Sequence, residues 1–342
     1  MTSSRKVKAS LVFLIKLLGT SLFLYWAFSQ LEDKDSLWLN FKAALRSPGW
    51  LLLGLLMSGL TLVAATLRWY ILLRAQKIDV SLLYIGKLTL ISAMFNIVSF
   101  GTAAGDAVKM ICVMRRNPGK KIIITMSLMT DHLVGFVSGG VIFLLATWGF
   151  GAIGETDSMP VRQAFIAASI FQGVGLLFVF LMFGTATSEC LGKFRQKLPR
   201  IALNKHIMSV SETLRKFRSR WRAVMISLVA SFALSITYYL AFYASLGTIG
   251  VNVPMHSIMA AMPVVDVVSS LPISVSGLGV REKTFEFLLS DMAGIQPSAA
   301  ISASLIGFMF HLFWGLVGGL YLVMDRSVFS AKDRAMLSEQ ES

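Results

Sequence analysis

Apolar runs long enough for a membrane alternate with short polar and basic stretches along almost the whole chain, at roughly 10 to 30, 50 to 73, 122 to 148, 163 to 184, 223 to 249 and 298 to 323. About 20 consecutive apolar residues cross a bilayer core as a helix, so each run predicts a transmembrane span. Two further apolar segments, about 82 to 112 and 257 to 290, fit less simply. Each is too long for one crossing and is interrupted by glycine, serine or proline together with charged residues. Backbone groups freed by such a break have no water to turn to in a bilayer, so a broken helix usually lines a cavity.

The distribution of Lys and Arg sets the sidedness. The N-terminal stretch (Arg5, Lys6, Lys8), residues 109 to 121 and the long 193 to 222 loop are basic, whereas 149 to 162 and 250 to 256 are almost free of Lys and Arg. The first set is expected in the cytoplasm with both termini, the second outside. Arg74 and Lys77 precede the first broken segment while Arg115 and Arg116 follow it, so it should enter and leave from the cytoplasmic side. By the same count the second should enter and leave from outside.

The predicted fold is therefore an all-α, polytopic membrane bundle with two oppositely oriented re-entrant helical hairpins. Two such hairpins, each between full spans, suggest an inverted repeat. Residues 1 to 325 form one membrane domain, with halves at about 50 to 184 and 223 to 323, a basic loop at 185 to 222 and a polar cytoplasmic tail at 326 to 342. His132-Leu133 with Gly139-Gly140, and His311-Leu312 with Gly318-Gly319, recur at identical offsets after the two hairpins. Small-residue helix packing alone would also produce such glycines.

Composition agrees. The chain has 342 residues, 55% of them hydrophobic and 15% charged, with a mean hydropathy of +0.70. A net charge of +14 would suit nucleic acid, but these cations sit between spans, which points to anionic lipid instead. Cys112 and Cys190 lack CxxC spacing and read as free thiols. The start resembles a signal peptide in charge, but its apolar run is long and lacks a convincing cleavage site, so it is expected to be a retained span.

Candidate chemistry concentrates in the breaks. In the first, Gly101-Thr-Ala-Ala-Gly105 precedes Asp106 and Lys109. Their spacing allows an ion pair on one helix face, and free backbone N–H groups in the turn would suit a phosphate. In the second, Ser274, Ser276, Gly277 and Gly279 precede Arg281, Glu282 and Lys283, with Glu286 one turn on. A helix starting near Val280 would aim its positive end and the Arg281 fork at a lipid phosphate. The alternative is a network of Arg281 with Glu282 or Glu286 that only holds the hairpin.

Asp131 and His132, Asp266, and His311 are candidates for proton coupling, since intramembrane acids and imidazoles can relay protons. In the 193 to 222 loop, Ile207, Val210, Leu214, Phe217 and Trp221 recur at helical spacing among Lys205, Arg215, Lys216, Arg218, Arg220 and Arg222. That pattern predicts an amphipathic helix on the inner leaflet, or else a solvated loop. P-loop, HExxH, GxSxG and Cys/His metal signatures are missing, so neither an enzyme, a cofactor nor a metal centre is expected.

These motifs resemble the flippase-like, lysylphosphatidylglycerol synthase transmembrane family. Pro272-Ile-Ser-Val-Ser-Gly-Leu-Gly-Val-Arg-Glu282 is similar to its Pro-x-Ser-x-Gly-x-Gly-x-Arg-Glu signature. Phe100-Gly-Thr-Ala-Ala-Gly-Asp-Ala-Val-Lys109 is similar to its Pro-Gly-Gly-x-Gly-Gly-Asp-x-x-Arg element, and Thr130-Asp-His-Leu-Val-Gly135 to its acid-Arg-Leu-x-Gly element. Phe100, Ala104, Lys109 and His132 depart from those patterns, and lysine lacks arginine's bidentate fork. The resemblance, which covers roughly residues 10 to 325, implies movement of an anionic phospholipid or polyprenyl-linked lipid between leaflets of a bacterial inner membrane. Without an aminoacyl-transfer domain among these residues, synthesis of aminoacyl lipid is not expected of it. A gradient-coupled small-solute transporter and a non-transporting scaffold for lipid- or glycan-synthesis enzymes are the other expectations to weigh.

Overall fold

The computed structural model describes residues 35–98, 102–183, 220–271 and 274–324. These residues form ten α-helices and no strand: α1 Asp35–Leu45, α2 Pro48–Ala75, α3 Leu82–Val98, α4 Thr102–Arg116, α5 Lys121–Leu144, α6 Met159–Phe183, α7 Trp221–Thr248, α8 Met255–Ser269, α9 Val280–Ala293 and α10 Pro297–Met324. The expected 10 to 30 span, most of the basic loop and the tail lie outside the described residues, as do Lys205, Arg215, Lys216 and Arg218.

Five of the helices are long and apolar enough to cross a membrane: α2, α5, α6, α7 and α10. They coincide with five of the spans read from hydropathy. Both α2 and α10 open on a proline, Pro48 and Pro297, where the missing N–H would have lacked an intrahelical partner anyway. Helix α5 runs into a π turn at Leu145–Gly149, and Gly151 then reverses the chain at φ 80°. Ahead of α2, between the first two predicted spans, lies α1, an 11-residue helix.

The two broken segments each form a pair of shorter helices, α3 with α4 and α8 with α9, and the members of each pair pack together. At 17, 15, 15 and 14 residues all four are shorter than the roughly 20 residues a crossing needs. Contacts at their open ends place the pairs at opposite ends of the bundle. The Arg116 guanidinium at the end of α4 lies 3.6 Å from the ring centre of Tyr84 near the start of α3. At that same end Lys120 Nζ donates to the Lys77 carbonyl at 3.0 Å, and Arg220 donates to the Ala75 carbonyl.

The second pair opens among acids. Glu155, in a 3-10 turn between α5 and α6, accepts from the Ser257 hydroxyl at 2.9 Å and pairs with His256 Nε2 at 2.6 Å, both in the first turn of α8. The neighbouring Thr156 hydroxyl donates to Asp291 near the end of α9. The Ala75 end of the bundle thus gathers Arg74, Arg116, Lys120 and Arg220 beside Asp79, while the other carries Glu155 and Asp291 together with Lys42, Arg46 and Arg162.

Lipid is as apolar as the protein interior, so close packing rather than transfer from water must hold these helices together. Helices α2 and α7 pack along one another, with Thr61 and Thr237 hydroxyls 3.0 Å apart between them. Ser227, Ser231 and Ser235 recur every four residues on the buried face of α7, small enough for close approach. Helix α10 crosses α3 so closely that a Cβ on Gly318 would overlap the Leu90 carbonyl. Two large apolar clusters result. Trp69, Ile85, Leu88 and Val108 belong to the one built on the first short pair, and Phe143, Phe165, Phe242 and Phe285 to the one built on the second.

Candidate functional site

The first constellation sits where α4 meets α5. Asp106, in the second turn of α4, accepts from Lys109 Nζ at 2.9 Å through Oδ1 and lies 2.9 Å from His132 Nε2 through Oδ2. The Lys109 ammonium also lies 5.5 Å from the ring centre of Trp69 on α2. Asp106 and Lys109 are 13% exposed at the side chain, whereas His132 is 57% exposed. A helix rise of 1.5 Å per residue puts Asp106 about 15 Å along α4 from Arg116.

The anion cradle expected from the glycine turn is partly closed. The Gly105 N–H donates to Asn96 Oδ1 at 3.0 Å, and a Cβ at Gly105 would collide with that side chain and with the Ser92 carbonyl. Glycine here serves the close approach of α4 to α3. Residues 99–101 of the turn lie outside the described residues.

Next to this constellation is a residue that sequence reading passed over. Arg68, inside the apolar α2, holds Asp131 with two hydrogen bonds of 2.7 Å, Nε to Oδ1 and Nη2 to Oδ2. Its Nη1 donates to Ser231 at 3.0 Å. Ser231 in turn lies 2.8 Å from the Ser138 hydroxyl. Asp131, a candidate for proton coupling, has both of its oxygens engaged by the guanidinium. The available signal was Arg68 inside a 28-residue apolar helix whose other arginine, Arg74, sits in the last turn, because an intramembrane ion needs a partner.

The second constellation is built on the turn into α9. Ser276 at φ 51°, Gly277 at φ 74° and Gly279 at φ 82° carry the chain through left-handed conformations, where glycine avoids a Cβ clash. The helix begins at Val280, as its sequence predicted. Glu282 reaches back to accept from the Gly279 N–H at 2.5 Å, satisfying one of the donors a helix start leaves open. Its other oxygen accepts from Arg281 Nε at 3.1 Å and Nη2 at 2.6 Å, and from the Ser304 hydroxyl at 3.3 Å.

Arg281 is 6% exposed and Glu282 1%, and the guanidinium lies 4.3 Å from the ring centre of Phe308. Lys283 and Glu286 form a second ion pair at 2.6 Å. In this conformation the Arg281 fork is engaged by Glu282, the alternative that sequence reading left open. Buried hydroxyl oxygens of Ser269 and Ser274 at the same turn, and Nε2 of His311, lack a hydrogen-bond partner. Asp266 is engaged by the Tyr238 hydroxyl at 3.0 Å, and the His311 ring lies 4.9 Å from that of Tyr238.

The two turns meet. Ser276 Oγ donates to the carbonyls of Asn96 at 3.0 Å and Ile97 at 2.8 Å. Those oxygens lie in the last turn of α3, where a helix leaves its carbonyls open. Of the surface cations described, Arg220 is spent on the Ala75 carbonyl and Arg222 lies beside Trp221.

Fold and site together define a multi-pass helical membrane protein with paired ionisable residues on two short helix pairs. Residues 13–319 match the family model described as the lysylphosphatidylglycerol synthase TM region, and the chain belongs to that family. Among curated proteins no relative matches it.

Proposed function

We propose that this protein moves an anionic phospholipid or polyprenyl-linked lipid between membrane leaflets, acting as a transporter rather than an enzyme. Membership of a family of lipid-associated membrane regions supports a lipid substrate. The observation that carries the reading is the contact between Ser276 and the end of α3. It joins two short helix pairs opening at opposite ends, each bearing ionised residues at about half the depth of the bundle.

On this reading the pairs are re-entrant hairpins and the basic end is cytoplasmic, as the positive-inside rule requires of a bacterial inner membrane. An inverted repeat is supported by reciprocal packing: α10 of the second half rests on α3, and α5 of the first half rests on α8. Lys109 and Arg281 contact the phosphate in turn, while Asp106 and Glu282 hold those cations when no phosphate is present. The first constellation is the more exposed and the second is closed, as expected of one member of an alternating pair. The acyl tails remain in lipid, and the basic loop gathers anionic lipid at the cytoplasmic face. Lipid- or glycan-synthesis enzymes are natural partners as suppliers or users of the substrate.

Liposome reconstitution tests the proposal. The protein should transfer fluorescent phosphatidylglycerol between leaflets, and Arg281→Ala should abolish transfer while the variant remains monodisperse. Proton-dependent solute uptake without lipid transfer would replace this reading with a solute transporter, and binding of a synthase with neither activity would replace it with a scaffold.

A further inference from the structure

The first constellation has a charge balance that depends on one group. Arg68 from α2 and Lys109 from α4 are cations, and Asp131 from α5 and Asp106 from α4 are their carboxylate partners. With His132 neutral the set sums to zero. With His132 protonated it carries one positive charge at mid-membrane depth, where an uncompensated ion is costly. A phosphate diester arriving at the neutral set faces the converse cost.

We propose that this site binds one proton on His132 together with each singly charged phosphate head group, so that proton and anion load as a neutral pair. This rests on the transport reading above and supplies its coupling ion. His132 is placed for it: Nε2 faces Asp106 Oδ2 at 2.9 Å, and the side chain is 57% exposed, so Nδ1 is the ring nitrogen left to take up a proton. The neutral ring donates its Nε2–H to the carboxylate, and protonation at Nδ1 makes it an imidazolium without breaking that contact. Asp106 then has a full counter-charge in His132. The Lys109 ammonium, now held by Asp106 at 2.9 Å, is released to the phosphate.

Among the described residues, the charged groups facing the imidazole are Asp106 and Lys109 from α4, Asp131 from its own helix and Arg68 from α2. Other helices packed on α5 present neutral or engaged groups. Helix α7 offers Ser231 and Ser235, α6 the Gln172 amide bonded to the Phe136 carbonyl, and α8 Asp266 held by Tyr238. Arg68 keeps Asp131 occupied, so His132 is the member of the set free to change charge near neutrality.

The test uses full-length protein in phosphatidylcholine nanodiscs with short-chain phosphatidylglycerol as probe, between about pH 6 and pH 8, where imidazole titrates. The diester keeps a single charge throughout. Wild-type affinity should fall by up to about tenfold per pH unit once the imidazole is neutral. A pH-indicator dye in weak buffer should register proton uptake on lipid addition, a readout that needs no variant. His132→Gln should bind weakly and His132→Arg tightly, both without a pH slope. A wild-type affinity that ignores pH, no proton uptake, or an unchanged slope in His132→Gln overturns the inference. If leaflet transfer persists in those cases, the transport reading survives without it. If phosphatidylglycerol binds none of the three proteins, both fall.

Discussion

Ser276 and Asn96 are 180 residues apart in sequence, and the serine hydroxyl donates to the asparagine carbonyl at 3.0 Å and to that of Ile97 at 2.8 Å. One side chain from the turn of the second short pair thereby closes the end of a helix in the first. The contact is also a mechanical link, since neither pair can tilt far without breaking it or carrying the other along.

Ser276→Ala should therefore loosen both pairs. Alanine and serine meet the same strain at φ 51°, so the substitution isolates the hydroxyl. Leaving a buried carbonyl unpaired costs about 1–3 kcal/mol. Hydrogen exchange should accelerate at residues 94 to 98, the last turn of α3, with little change in α6. Unchanged exchange there would show that the two turns move independently.

The Arg68–Asp131 pair should behave as one unit. Removing one partner strands a buried ion, so Arg68→Gln and Asp131→Asn should each destabilise by about 3–5 kcal/mol. The double variant should lose much less than the sum, a coupling that thermal denaturation in detergent reads as a double-mutant cycle. Additive losses would mean that the two side chains are solvated separately.

The glycines of α3 and α10 should differ in tolerance. A Cβ at Gly318 meets the Leu90 backbone, which cannot swing away, whereas one at Gly86 finds only the Thr66 methyl at 3.7 Å. Gly318→Ala should cost about 1–3 kcal/mol through overpacking, and Gly86→Ala should stay within about 0.5 kcal/mol. Melting temperatures of the two variants in detergent check the contrast. Equal tolerance would contradict the close crossing of α10 over α3.

Much of the site was legible where partners are near in sequence. Asp106 and Lys109 stand three residues apart in a helix, and the start of α9 followed from Gly279 with Glu282 behind it. Arg68 was not legible as Asp131's partner, because nothing in either helix states which face meets which. Nor did the glycine-rich stretch before Asp106 reveal that Gly105 yields its N–H to Asn96. Arg220 read as a lipid-facing cation in a basic run, and only its position beside the last turn of α2 turned it into a cap for Ala75.

The chain by itself determined where apolar helices run and where they break, because bilayer thickness and the cost of unpaired backbone groups act on each segment separately. It also determined which breaks carry charge. Tertiary structure alone decided which groups from different helices meet: Arg68 with Asp131, His132 with Asp106, Ser304 with Glu282, and Ser276 with the end of α3. Such pairings depend on helix crossings, which small residues such as Gly105 and Gly318 permit but do not aim. They exist only once all the helices have packed.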